Sequence, residues 1–192
     1  MKLNNPTELL YDQLRELQGM EVEIARTFSV LSGSVSNISL RSLLWQRALS
    51  ARERRDKLSN LRPIHGVAPK IRICYSIKGI LAEGSKCLES TGNLYTKDLV
   101  MIGQFMRIEH AAIIAYRIVS RLADRAGFAV EADQMMGVLS ELEIARTPLQ
   151  SLEGDLFRTA TLHRAPGNHL TSRPARPRKK QTTKLSSILT VT

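Results

Sequence analysis

The sequence predicts an all-α helical bundle followed by a basic C-terminal tail. In four long stretches, apolar residues recur at alternating intervals of four and three, which is the spacing of one face of a bundle-forming helix. Hydrophobic residues make up 43% of the 192 residues and aromatic residues only 5%. The apolar positions are therefore chiefly Leu, Ile, Ala and Met, which favour helices. We predict a helical domain over 1–162 and a disordered tail over 163–192, where Pro, Arg, Ser and Thr predominate.

Capping and turn residues predict where the helices begin and end. Asn5 is a suitable N-cap, since Pro6 takes the first helical position and Glu8 follows the cap by three residues. Gly127 is a suitable residue to end a long helix. With turns at Ser, Gly and Pro clusters, these signals predict long helices near 7–31, 40–61, 95–126 and 130–160.

Glycine and proline also fall inside two of the predicted helices. A short helix is expected near 71–89, broken by Gly79 and Gly84. The last long helix contains Pro148, which is expected to kink it or to separate its two halves.

The net charge of +10 is concentrated in the tail. Eight of the 28 basic residues lie between Arg158 and Thr192, and no acidic residue follows Asp155. The preceding part of the chain therefore holds 20 basic and 18 acidic residues, a net charge of only +2. The high pI describes the tail rather than a basic fold. The residues that carry most of this charge cluster at Arg173, Arg176, Arg178, Lys179 and Lys180.

Composition also bears on the cellular compartment. The N-terminus MKLNNPTELL contains no signal-peptide hydrophobic region, and no transmembrane segment is predicted. Cys74 and Cys87 have neither CxxC nor zinc-finger spacing, which favours reduced thiols over a disulfide or a metal site. We therefore expect a cytoplasmic protein.

Charged residues interrupt the apolar stripes at a few positions. Glu21 and Glu109 each lie near the middle of a helix, where the four–three pattern calls for a large apolar side chain. Burying an unpaired carboxylate is very costly, so each needs a compensating partner unless it reaches water at the edge of the core. The partner is either a metal ion or an arginine. The arginines on inward stripes are Arg47, Arg54 and Arg146.

Other residues with catalytic chemistry give no complete site. Glu141 lies on a stripe that flanks the core of the last helix, and His110 points about 100° away from Glu109. Phosphate-binding glycine loops, GxSxG elbows and HExxH motifs do not occur in the sequence. Cys74 has no histidine base assigned to it. No catalytic residue is predicted, and an enzyme is the less favoured interpretation.

Three stretches resemble the YciE/YciF-like family of bacterial ferritin-like proteins. They are LRELQGMEVEI at residues 14–24, IKGILAEG at residues 77–84, and IEHAAIIAY at residues 108–116. The resemblance covers roughly residues 7 to 157. It implies a ferritin-like antiparallel four-helix bundle with one short extra helix. It also implies a site for two metal ions, iron or manganese, held between the helices by inward carboxylates and histidines.

The chain departs from the metal site that this resemblance implies. Glu21 and Glu109 match two acids of the family, and Glu141 lies near its acidic pair on the fourth long helix. Ala112, however, replaces the second acid of the family's Glu-His-x-Glu motif, and Arg47 stands at a histidine position. A di-metal site needs about four to six ligands, and at most three acids remain.

Three functional hypotheses follow. The first is a non-catalytic, stress-related ferritin-like protein, as a homodimer or a monomer, whose core pairs carboxylates with Arg47, Arg54 or Arg146 and holds no cofactor. The second is a residual iron or manganese protein with Glu21, Glu109 and Glu141 as ligands. The third is weak binding of nucleic acid or another anionic surface through the tail.

Overall fold

The computed structural model describes residues 4–64 and 71–162. Within these two ranges the chain forms five α-helices and no strand. The predicted all-α class is therefore confirmed, and the five predicted helices are all present. The tail predicted to be disordered, residues 163–192, lies outside the described residues. The helices are α1 (Pro6–Leu31), α2 (Ile38–Ile64), α3 (Tyr75–Glu89), α4 (Leu94–Arg125) and α5 (Ala129–Leu162).

The four long helices form two helical hairpins. The first pairs α1 with α2 through a short connection, and the second pairs α4 with α5 through residues 126–128. The hairpins dock mainly through α1 and α4, while α3 packs on α4 and bridges to α1. By contrast, α2 and α5 approach each other at few positions. The short connections make each hairpin antiparallel, as in a ferritin-like bundle.

Helix ends agree with the signals read from the sequence. The side chain of Asn5 accepts a hydrogen bond from the backbone N–H of Glu8 at 2.9 Å, with Pro6 as the first helical residue. At the end of α4, Gly127 adopts a φ of +83°, a conformation that glycine tolerates best. The N–H groups of Gly127 and Phe128 return to the carbonyls of Asp124 and Ala123. This is the Schellman arrangement, and it turns the chain into α5.

The predicted start of α3 at residue 71 is wrong, because the helix begins at Tyr75. The segment before it lies against α1 instead, where the N–H of Arg72 donates to the carbonyl oxygen of Arg15 at 3.2 Å. The Arg72 side chain also forms an ion pair with Asp12. Gly19 of α1 lies directly beneath this segment, and a β-carbon there would overlap the carbonyl oxygen of Arg72.

The predicted breaks within helices are also wrong. Helix α3 continues through Gly79 and Gly84, and the latter lets α4 come close: a β-carbon at Gly84 would lie 2.7 Å from Cγ of Gln104. Helix α5 continues through Pro148. Proline removes the hydrogen bond to the carbonyl of Ile144, but both residues lie on the exposed face, where water can satisfy that carbonyl.

A buried carboxylate fastens the first hairpin to the second. Asp98 of α4 is only 2% exposed and accepts hydrogen bonds from the backbone N–H groups of Ser36 and Asn37, at 3.0 and 2.9 Å. Asn37 in turn caps α2 by accepting from the N–H of Leu40 at 2.9 Å. One aspartate thus fixes the connection between α1 and α2 against the start of α4.

Helix α4 is long and apolar enough to cross a membrane by length and composition, with a mean hydropathy of 1.2 over its most apolar 18 residues. Half of that window is buried inside the bundle, where α4 packs against α1, α3 and α5. The core helix of a bundle meets the same criterion. The described residues therefore contain no clear membrane span.

Candidate functional site

Three charged side chains meet at the centre of the bundle. Glu21 on α1 is 0% exposed, Glu109 on α4 is 2% exposed, and Arg47 on α2 is 6% exposed. Each lies on the inward stripe that the four–three spacing predicts for its helix. The residues one turn away on these stripes are apolar and buried: Leu17, Ile24, Leu44, Ala51, Phe105 and Ala112. The charges therefore form a single polar layer within an apolar core.

The guanidinium of Arg47 lies between the two carboxylates. Its Nε donates to Oε1 of Glu109 at 2.6 Å. Its two terminal nitrogens face Glu21, with Nη1 at 3.0 Å from Oε2 and Nη2 at 3.5 Å from Oε1. Bidentate contact of this kind fixes the orientation of both groups as well as their separation. We call Glu21, Arg47 and Glu109 the buried triad.

A fourth residue joins the triad through its hydroxyl. Tyr116 of α4 is fully buried, and its phenol donates to Oε1 of Glu21 at 3.0 Å. It lies seven residues, or two turns, after Glu109 on the same stripe. Helical spacing alone indicates a core position for Tyr116 and not a polar role. The signal for its role was a hydroxyl on an inward stripe, since a buried tyrosine hydroxyl usually finds a hydrogen-bond partner.

Burial and charge act in opposite directions on Arg47. Burial by itself favours the neutral form, but the charges of Glu21 and then Glu109 outweigh it and raise the pKa of the guanidinium above its ordinary value. Burial, followed by the charge of Glu21, also raises the pKa of Tyr116 well above its ordinary value. Arg47 is thus a permanent cation, and Tyr116 remains a neutral donor.

The other predicted arginines lie away from the triad. Arg54 is buried, but it contacts Glu141 of α5, with Nη2 at 3.3 Å from Oε2. Glu141 itself is mostly exposed, and its side chain retains 58% of its accessible surface. Arg146 lies between the buried Leu142 and Leu149 on its stripe and is itself partly exposed. Within the described part of the chain it forms no ion pair.

The remaining sequence candidates do not add ligands to this layer. His110 is exposed, and its Nδ1 lies 2.8 Å from the carbonyl oxygen of Met106. Across residues 4–64 and 71–162, no three His, Cys, Asp or Glu side chains are grouped as a metal site would require. The two core carboxylates already accept hydrogen bonds from a guanidinium. The donor set therefore does not fit the two metal ions that the ferritin-like resemblance implies.

Two buried amides, on α1 and α4, are not predicted by helical spacing. Gln18 donates to the hydroxyl of Ser59 at 2.5 Å, and its carbonyl oxygen has no partner among the described residues. Gln104 is buried against Gly84, and its carbonyl oxygen likewise has none there. Both residues lie beside the predicted stripes, where a helix pattern alone does not decide burial.

An antiparallel four-helix bundle with a crossover helix and carboxylates at its centre defines a ferritin-like helical protein. The family model described as "Domain of unknown function (DUF892)" matches residues 5–160. The chain belongs to this family, and the YciE/YciF-like resemblance is confirmed. Comparison with curated proteins gives no match.

Two solved structures share this fold. The E. coli stress protein YciF aligns with a TM-score of 0.76 at 18% identity, covering 81% of this chain and 99% of that one. YcfI, described as a putative structural protein from Rhodopseudomonas palustris, aligns with a TM-score of 0.73 at 19% identity. That alignment covers 78% of this chain and 95% of the other. At these identities the likeness establishes the fold alone.

Proposed function

We propose that this protein is a non-catalytic, stress-related ferritin-like bundle in which an arginine takes the place of the metal ions. The observation that carries the proposal is the position of Arg47, whose guanidinium contacts both Glu21 and Glu109. The descriptions of the two structural neighbours, a stress protein and a putative structural protein, support this class of role. They name no reaction.

The chemistry of the triad explains how such a substitution works. Metal ions in a bundle core offset the charge of inward carboxylates. Arg47 supplies fixed positive charge at the same depth, and its raised pKa keeps that charge in place. A cation approaching Glu21 or Glu109 would be repelled by the guanidinium and would have to displace its hydrogen bonds. The core is then complete without any supply of metal.

We expect divalent metal to leave the melting temperature of the wild-type protein unchanged. EDTA or excess Mn²⁺ should have no effect, because the carboxylates have an internal partner. In Arg47→Met the same carboxylates lack a cation, so Mn²⁺ should raise the melting temperature, by about 2–4 °C per kcal/mol of linked binding. Differential scanning fluorimetry with both proteins makes the measurement.

The alternative, a residual iron or manganese protein, predicts a different outcome. Mn²⁺ or Fe²⁺ would then raise the wild-type melting temperature, and the metals would copurify in stoichiometric amounts. Glu141→Gln is the matched control, because it removes the exposed third acid without disturbing the triad. A metal response of the wild type that Glu141→Gln abolishes would overturn the arginine substitution.

A second candidate function rests on the charge of the C-terminal region, a sequence observation alone. Removal of residues 163–192 should abolish weak, sequence-independent binding of the full chain to duplex DNA. The slope of log affinity against log salt should approach about −0.9 for each phosphate that the tail neutralises. Fluorescence anisotropy across a salt series measures it. Binding that persists in the shortened chain would contradict the tail hypothesis.

A further inference from the structure

An open cavity of about 540 Å³ lies between α2 and α5. These two helices approach each other at few positions, and α4 contributes Tyr116 to the cavity wall. Its volume is within the range of small-molecule sites, about 300–1,000 Å³. The apolar side chains that line it are Leu58 and Leu61 of α2, Met135 and Val138 of α5, and the ring of Tyr116.

A buried arginine with unmet hydrogen-bonding capacity lines the same cavity. Arg54 is only 6% exposed, and its single ion pair, through Nη2, is with Glu141. Its Nε and Nη1 are buried and have no hydrogen-bond partner in the described structure. A buried charged donor without an acceptor is destabilising, and nearly all such groups in native proteins are satisfied by something. Two of the three guanidinium nitrogens of Arg54 therefore lack a hydrogen-bond acceptor.

The existing partner of Arg54 is weakly held. Glu141 lies on the rim of the cavity with a mostly exposed side chain, and its contact of 3.3 Å is long for a charge-assisted hydrogen bond. An ion pair with one exposed member is worth little. Glu141 can therefore turn into water when a better acceptor reaches Arg54.

The charges of the lining decide the sign of the ligand. Arg54 is the one buried charge of the lining, because Lys57 and Glu141 are exposed to water, so the cavity presents a single desolvated positive charge. One singly charged anionic group balances the charge of Arg54. A doubly charged phosphate would leave an uncompensated negative charge beside an apolar wall. The apolar side chains require the remainder of the ligand to be hydrocarbon.

We propose that this cavity binds a monocarboxylate with an apolar chain, such as a medium-chain fatty acid. The carboxylate accepts hydrogen bonds from Arg54 and displaces Glu141, while the chain lies along Leu58, Leu61 and Val138. The described lining of the cavity contains no member of the buried triad, and Tyr116, which donates to Glu21, contacts both. It goes beyond the role proposed for Arg47 and does not depend on it.

The test compares three probes by isothermal titration calorimetry on the full-length protein. Decanoate, kept below its micellar concentration, should bind saturably at one site per chain. Decanol has a similar chain without the charge and should bind at least about tenfold more weakly, since a hydrogen bond to a charged group contributes about 1.5–3 kcal/mol. Acetate has the charge without the chain and should not bind measurably. Equal affinity for decanol and decanoate, or no saturable binding of decanoate, would overturn the proposal.

Three variants locate the binding. Arg54→Met should weaken decanoate at least about tenfold. Arg55→Met, the neighbouring arginine on the outer side of α2, should leave it unchanged and controls for general charge attraction, including that of the tail. Glu141→Gln removes the competing carboxylate at an exposed position and should tighten decanoate by roughly two- to fivefold. An equal loss in Arg54→Met and Arg55→Met, or weaker binding in Glu141→Gln, would show that the ligand binds elsewhere.

Discussion

Arg47→Met should lower the free energy of unfolding by about 3–5 kcal/mol, because it leaves two carboxylates buried without a cation. The methionine fills most of the volume of the arginine stem, so lost packing contributes little. Glu21 and Glu109 have no route to water from their present positions, since they are 0% and 2% exposed. Urea denaturation followed by circular dichroism measures the change.

Neutralising one of the two unpaired carboxylates should then restore part of the free energy of unfolding that Arg47→Met loses. Glu21→Gln or Glu109→Gln in the Arg47→Met background replaces a buried charge by an amide of the same shape. A buried ion pair is often worth no more than a neutral replacement, whereas a broken pair is strongly destabilising. A double variant less stable than Arg47→Met would contradict the charge explanation.

Arg54→Met is the matched control for this experiment. Arg54 is buried to the same extent as Arg47, two turns further along α2 on the same stripe. Its removal leaves only Glu141, which is already mostly solvated, so the free energy of unfolding should change by less than about 1 kcal/mol. Equal losses in the two variants would mean that arginine burial, and not the stranding of carboxylates, causes the effect.

The second large effect is expected at Gly19, where a single methyl group has no space. A β-carbon there would overlap the carbonyl oxygen of Arg72. Gly19→Ala must therefore push the segment before α3 away from α1, breaking the hydrogen bond from Arg72 to Arg15. Overpacking of this kind costs about 1–3 kcal/mol, more than the roughly 0.5–1 kcal/mol that alanine contributes within a helix.

Gly103→Ala separates the steric effect from helix propensity. Gly103 also lies within a long helix, but a β-carbon there meets no atom within 4 Å. The substitution should raise the free energy of unfolding by about 0.4–1 kcal/mol. Chemical denaturation of the two variants in parallel makes the comparison. The close contact at Gly19 would be refuted if both substitutions stabilised the protein equally.

Much of the bundle can be predicted from sequence because its signals are local. The stripe of α2 alternates four and three from Leu40 to Leu61, and every member of it is buried. The cap at Asn5 and the turn at Gly127 depend only on nearby residues. The same periodicity placed Glu21, Arg47 and Glu109 inside the core, since no other face of their helices was available to them.

The sequence-based predictions that differ from the structure concern contacts between residues distant in sequence. Helical spacing makes Arg47, Arg54 and Arg146 equivalent, but only Arg47 lies at the height of both carboxylates. Arg146 is partly exposed and forms no ion pair within the described ranges. Helix α3 begins later than predicted because the backbone of Arg72 is hydrogen-bonded to α1. Nothing in the sequence of residues 71–74 indicates that pairing.

The buried triad also determines how the two hairpins align. Leucine and isoleucine layers resemble one another, so an apolar seam alone tolerates sliding of one hairpin along the other. Sliding of the first hairpin by one turn, about 5.4 Å, would carry Glu21 and Arg47 together away from Glu109 and bring Leu44 or Ala51 opposite that carboxylate. Glu109 would then be buried without a cation, while Arg47 would keep only its contacts with Glu21. A slipped assembly is therefore excluded by charge, and the bundle has one register in place of several near-equivalent ones.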